Sequence, residues 1–191
     1  TNIEPIADNG TVTLGSSGDT FTVPSGVTVN MSSATQTGVG GANTPAFEAY
    51  LNANQSVSDN TATKVAFNVE HFDTDNAYDN STNYRFTPQT SGKYFVYADV
   101  TNYAGDSNLV KAKAFIYKNG SAIKVMQTNF KSNYARQMHV LISSVIDMNG
   151  SSDYIEIFGI CDTNSGSGQL FNGTTSAGED RCFFGAYKIN T

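Results

Sequence analysis

From Pro45 to the C-terminus the chain is a succession of short runs in which apolar and polar residues alternate, and no window sustains a 3.6-residue period. A period of two puts successive side chains on opposite faces of a strand, so the pattern excludes a helical domain. The runs predict strands near Ala46–Leu51, Lys64–Phe72, Tyr84–Thr87, Lys93–Asn102, Val110–Tyr117, Ala122–Thr128, Gln137–Asp147, Tyr154–Cys161 and Cys182–Ile189. Many short strands at this spacing indicate an all-β sandwich or barrel. Two sharp hairpins are expected at Lys118-Asn119-Gly120 and Met148-Asn149-Gly150, because Asn-Gly accepts the positive φ of a primed turn. Asn, Ser and Thr supply 60 of the 191 residues and Phe and Tyr 22 more, which suits strands joined by polar turns.

The first forty residues differ from the rest. Gly10, Gly18 and Gly26 recur every eight residues, each followed by a short alternating run: 11–14, 20–23 and 27–30. Strands of four residues cannot bury a core within one chain, so such repeats must stack on themselves or wind with partner chains. Residues 1–34 therefore read as a β-repeat shaft segment of a fibre, or as a leading β-meander. Residues 35–45, a glycine-rich stretch with Gly38, Gly40 and Gly41, read as a linker, and 46–191 as the head. A chain that begins at Thr1 rather than Met is expected to be a piece of something longer.

Loop lengths are asymmetric. Because successive strands run up and down, one end of the sandwich is expected to carry the short turns 88–92, 118–121 and 148–153. The other end carries 103–109, 129–136 and 162–181, plus the passage after Leu51. With the shaft entering at the short-turn end, the long loops face outward, and binding residues gather on such loops. Tyr103, Phe130, Tyr134 and Phe171 offer aromatic surface, and Asn102, Asp106, Asn133, Asn164, Gln169 and Asn172 offer hydrogen bonds beside them. The competing reading tucks these aromatics under their own loops.

The run Tyr78-Asp79-Asn80-Ser81-Thr82-Asn83-Tyr84-Arg85-Phe86, followed by Gly92-x-Tyr94, resembles a segment of the complement C1q and tumour-necrosis-factor-like head domains. Tyr117-Lys118-Asn119-Gly120, Asp153–Ile157 and Phe183-Phe184-Gly185 resemble later segments of the same family. One extra residue between Tyr78 and Phe86, Asn83 in place of a glycine, and Val96 and Ala98 in place of aromatics are departures that bear on local packing. The resemblance implies a ten-stranded jelly-roll sandwich that forms a homotrimer, with aromatics of one sheet between subunits. The N-terminal repeats and Ala34-Thr35-Gln36-Thr37-Gly38 look like tail-fibre proteins of marine tailed phages. That implies a fibre tip on a virion surface, recognising a host-cell receptor or glycan. A purely structural trimerisation head and a glycan-cleaving tail-spike tip are the alternatives.

Other chemistry is hard to place. Net charge is −6 with scattered cations, so no basic stripe serves nucleic acid, and the longest apolar runs are far short of a membrane span. No Gly-x-Ser-x-Gly elbow, His-Glu-x-x-His pair or phosphate-cradling loop occurs, and an enzyme is not expected. His71 and His139 are expected to be structural, and Glu156, between Ile155 and Ile157, to be a solvated sheet residue. Asp73, Asp75, Asn76 and Asp79 form an acidic run that could ligate calcium, but Ala77 stands where an oxygen ligand is needed, so a solvated loop is the expectation and no cofactor is assigned. Cys161 and Cys182 bracket one long loop, either as a disulfide or as two core thiols.

Overall fold

Strand residues of this chain alternate between core and surface over two antiparallel sheets that close face to face. The computed structural model describes residues 17–29, 43–105, 107–130, 132, 135–166, 170–173 and 178–189. By its contacts the chain divides into two units, Thr1–Val39 and Gly40–Thr191.

In the first unit, Gly18 and Gly26 sit in turns with φ of 95° and 83°, the left-handed conformation that glycine alone adopts at no steric cost. Val27 N donates to Pro24 O at 3.2 Å across the second of these turns. The runs at 20–23 and 27–29 are not strands, and Phe21, Val23, Val27 and Val29 are exposed. Among the described residues these four-residue runs have no sheet partner, and alternation alone does not make them strands. The run at 11–14 and most of 35–45 lie outside the described residues.

The described residues of the second unit form thirteen strands: β1 (Ala46–Tyr50), β2 (Gln55–Ser56), β3 (Thr63–Lys64), β4 (Val69–Asp73), β5 (Tyr78–Asp79), β6 (Arg85–Phe86), β7 (Gly92–Tyr103), β8 (Leu109–Lys118), β9 (Ser121–Asn129), β10 (Gln137–Met148), β11 (Ile155–Thr163), β12 (Leu170–Phe171) and β13 (Phe183–Lys188). The first sheet runs β4-β1-β13-β7-β10, with β12 pairing the end of β7 and β2 pairing β12. The second runs β5-β6-β11-β8-β9, with β3 on β11. The expected strand Lys64–Phe72 is divided, because β3 joins the second sheet and β4 the first, so the chain crosses the sandwich between them.

Even-numbered residues of β7 from Tyr94 to Val100 are fully buried, as are Ile155 and Ile157 facing them from β11. At the centre Phe47 stacks on Tyr78 (4.5 Å between centroids) and Phe86 (4.6 Å) and meets Phe184 edge-on at 4.8 Å. The Tyr78 hydroxyl donates to Phe67 O at 3.0 Å, and burial pushes its pKa up. Asp79 folds the following turn by accepting from the backbone N–H of Ser81, Thr82 and Asn83. Those N–H donors hold its carboxyl well below the usual range.

Asn119 (φ 52°) and Gly120 form the expected primed hairpin between β8 and β9. Met148-Asn149-Gly150 is not a hairpin, since β10 and β11 lie in different sheets. There Asn149 Oδ1 accepts from the N–H of Ser151, Ser152 and Asp153 and shapes a longer arch between the sheets.

Candidate functional site

The long loops come together at one end of the sandwich. Ala104 N donates to Arg136 O at 2.8 Å, Leu109 N to Ala135 O at 2.7 Å, and Asn164 N to Asn108 O at 3.0 Å, tying 103–109 to its two neighbours. The passage after Leu51 joins them through Asp59, which accepts from Thr163 N at 2.9 Å, and through Asn60, whose N–H donates to Cys161 O at 3.1 Å. Among the described residues at this end, two cations have partners within the loops. Lys111 pairs with Asp162 at 2.9 Å and donates to Asn60 Oδ1 at 2.7 Å, and Arg136 donates to Gly105 O. Among the described residues, Ser58, Asn60, Thr61 and Asn164 are exposed here, as is Glu179.

Of the residues expected here, Asn164 is exposed and held by Ser107 Oγ at 2.7 Å. Tyr103 is half-buried, with the Arg136 guanidinium 5.9 Å over its ring. Phe130 is half-buried against the core. Three residues are corrected. Phe171 has 0% exposure because its ring enters the open end of the sandwich, where a Cβ on Gly159 would stand 2.6 Å from it. Asn102 is also fully buried, since β7 extends past it to pair with β12. Asn172 is buried at 7%, donating through its backbone to Thr101 O, while Gly173 N bonds Asn54 Oδ1 in the passage after Leu51. Asp106, Asn133, Tyr134 and Gln169 lie outside the described residues. Sequence reading missed Asp59 and Asn60 as members of the cluster, whose only signal was the length of the passage after Leu51.

A second surface is the outer face of the first sheet. The register sets three rows across it: Tyr50, Phe183, Asp99 and Leu141; then Phe72, Glu48, Gly185, Tyr97 and Ser143; then Ala46, Tyr187, Phe95 and Val145. Gly185 leaves room for the Tyr97 ring, which a Cβ would approach to 2.4 Å, and the Tyr97 hydroxyl donates to Glu48 Oε2 at 2.6 Å. Burial and that carboxylate raise the Tyr97 pKa. Phe72, Tyr187, Leu141 and Val145 remain 39–61% exposed. At the adjoining edge, Ile123, Val125 and Met126 of β9 are exposed too, and Val125, Met126 and Leu141 line one groove with Lys124.

Structures with the same architecture are known. The globular domain of zebrafish complement 1qA protein matches at a TM-score of 0.50 and 16% identity, over 76% of this chain and 96% of that one. The head is a C1q/TNF-like jelly roll. Murine APRIL matches at 0.52 and 11% identity (75% of this chain, 98% of that one), and Eiger TNF from S. frugiperda at 0.51 and 9% (75% and 91%). No protein-family model and no curated protein sequence matches the chain.

Within this jelly roll the remaining candidate groups serve the fold. Asp73 accepts from Asp75 N and Tyr78 N, and Asp79 caps its own turn, so the acidic run is spent on backbone hydrogen bonds. Among the described residues no three His, Cys, Asp or Glu could share a metal ion. His71 stacks on Tyr50 and pairs with Asp180 at 2.6 Å. Glu156 points outward as its alternation implies, but it is only 6% exposed because Lys64 covers and pairs with it.

Of the two arrangements the sequence left open, Cys161 and Cys182 stand here as buried thiols with no bridge between them. Cys161 belongs to the second sheet, facing Tyr103 O at 3.6 Å, while Cys182 Sγ accepts from Thr101 N at 3.1 Å beside the first. Burial pushes the Cys182 thiol up to about 12. Thiol titration of denatured, unreduced protein should therefore find two thiols per chain, and the folded protein should react slowly at neutral pH.

Proposed function

We propose that this chain is the trimeric, non-catalytic tip of a tailed-phage fibre, and that its loop end recognises a receptor or glycan on a host cell. The observation that carries this reading is the gathering of the described parts of the long loops at one end of a rigid jelly roll, with Ser58, Asn60, Thr61 and Asn164 exposed among them. Hydroxyl and amide groups of that kind pair with sugar hydroxyls as donors and acceptors alike. Assembly uses the aromatic rows on the first sheet, which are too extensive to leave in water, against the β9–β10 edge of the next copy. Two unlike patches on one chain make a head-to-tail contact, which three copies close into a ring. The burial of Phe171, Asn102 and Asn172 favours a second reading, in which the head only nucleates the trimer.

Labelled protein incubated with a panel of cells and purified surface glycans separates the two readings. Tyr103→Ala and Asn164→Ala should each weaken binding about tenfold, as interface anchors of about 1–2 kcal/mol do, while Gln89→Ala at the opposite end should not. Loss of binding in Gln89→Ala alone would place the receptor elsewhere on the head. A trimer that binds nothing would favour the structural reading.

A further inference from the structure

The outer face of the first sheet carries one carboxylate in an otherwise apolar row, Asp99 between Phe183 and Leu141. Its Oδ2 lies 3.2 Å from His139 Nδ1, and its Oδ1 is buried with no hydrogen-bond partner. The directions of the surrounding bonds follow from the donors. The Thr101 hydroxyl gives its single proton to Arg181 O, so it accepts from His139 Nδ1–H at 2.8 Å. The Gln137 amide, 3.2 Å from His139 Nε2, donates to it, and Asn172 Nδ2 donates to Gln137 Oε1 at 3.4 Å. With the imidazole neutral, the Asp99–His139 pair carries a net charge of −1, and one oxygen of the carboxylate is buried without a hydrogen-bond partner.

Other groups facing Asp99 do not neutralise it. From β10 come His139, Leu141 and the Val140 N–H; from β13 and the residue before it, Phe183 and the Cys182 thiol; along β7, Tyr97, whose hydroxyl is spent on Glu48, and Thr101, whose hydroxyl is spent on Arg181 O. No lysine or arginine pairs with Asp99 among the described residues. Burial already raises the Asp99 pKa, with His139 and the Val140 N–H pulling it back.

We infer that association of this head is coupled to proton uptake at the Asp99–His139 pair, so that acidification tightens the assembly. The inference rests on the proposed assembly face. Covering that face removes the remaining water from both groups, and burying a net −1 pair costs more than burying a neutral one. One added proton neutralises the pair, whether it sits on the carboxylate or on the imidazole. The pair's affinity for that proton is therefore higher in the assembled state. A group of raised affinity contributes its stabilisation at low pH and loses it as pH rises, so association tightens as pH falls.

The test is the dissociation constant by sedimentation, at constant salt, near pH 8 and near pH 6. One proton per contact gives up to about tenfold per pH unit, so association should tighten at least about tenfold over that interval. Because the whole chain is acidic, wild type is compared with Asp99→Asn and with Asp147→Asn, an exposed carboxylate of the same sheet. Asp99→Asn should lose most of the dependence and Asp147→Asn should keep it. His139→Gln should move the dependence to lower pH. Assembly whose pH dependence is the same in wild type and Asp99→Asn overturns the coupling while leaving the assembly face intact. A monomer at every pH overturns the assembly face itself.

Discussion

Phe171→Ala is expected to destabilise the head by about 3–5 kcal/mol, the usual cost of emptying a buried phenylalanine site. For a domain of this size that lowers the melting temperature by roughly 10 °C. The ring closes the end of the sandwich over Gly159 and Val100, and rigid strands on both sides cannot collapse into the space it leaves. Gly159→Ala should destabilise as well, because its methyl group would meet the same ring. A thermal or urea melt followed by circular dichroism measures both. If Phe171→Ala melts with wild type, the ring is a surface group and its burial is wrong.

That residue also shows where sequence reading stops. β8, β10 and β11 fall within one or two residues of their expected bounds, because period-two alternation over nine or more residues admits one face assignment. Phe171 lies in a Gly, Ser, Thr and Asn segment with no period, and the two-residue strand β12 that inserts it is fixed by pairing with Asn102 and Tyr103, far away in sequence. The same limit applies to Asn149-Gly150. Its local chemistry matches Asn119-Gly120, and only the assignment of β10 and β11 to different sheets makes one an arch and the other a hairpin. Alternation likewise sends Glu156 outward correctly but cannot reveal that Lys64, from a strand 92 residues earlier, covers it. The candidate loop residues divide on the same ground. Loop length and composition mark the end of the molecule that carries them, whereas burial of each side chain depends on long-range contacts.

Leu141→Asp is expected to dissociate the proposed trimer. Leu141 is 61% exposed in the single chain, lies in the row with Asp99 and Phe183, and lines the groove at the β9–β10 edge, so it belongs to both faces of a head-to-tail contact. A carboxylate there would be buried without a partner beside Asp99, and a loss of several kcal/mol per contact is the expected order. Because the side chain points away from the core, far-UV circular dichroism and the monomer fold should be unchanged. Sedimentation at micromolar concentration is the most direct measurement. Wild type should have three times the 20.4 kDa chain mass and Leu141→Asp the chain mass alone. A wild-type chain that stays a stable 20.4 kDa monomer would contradict the account.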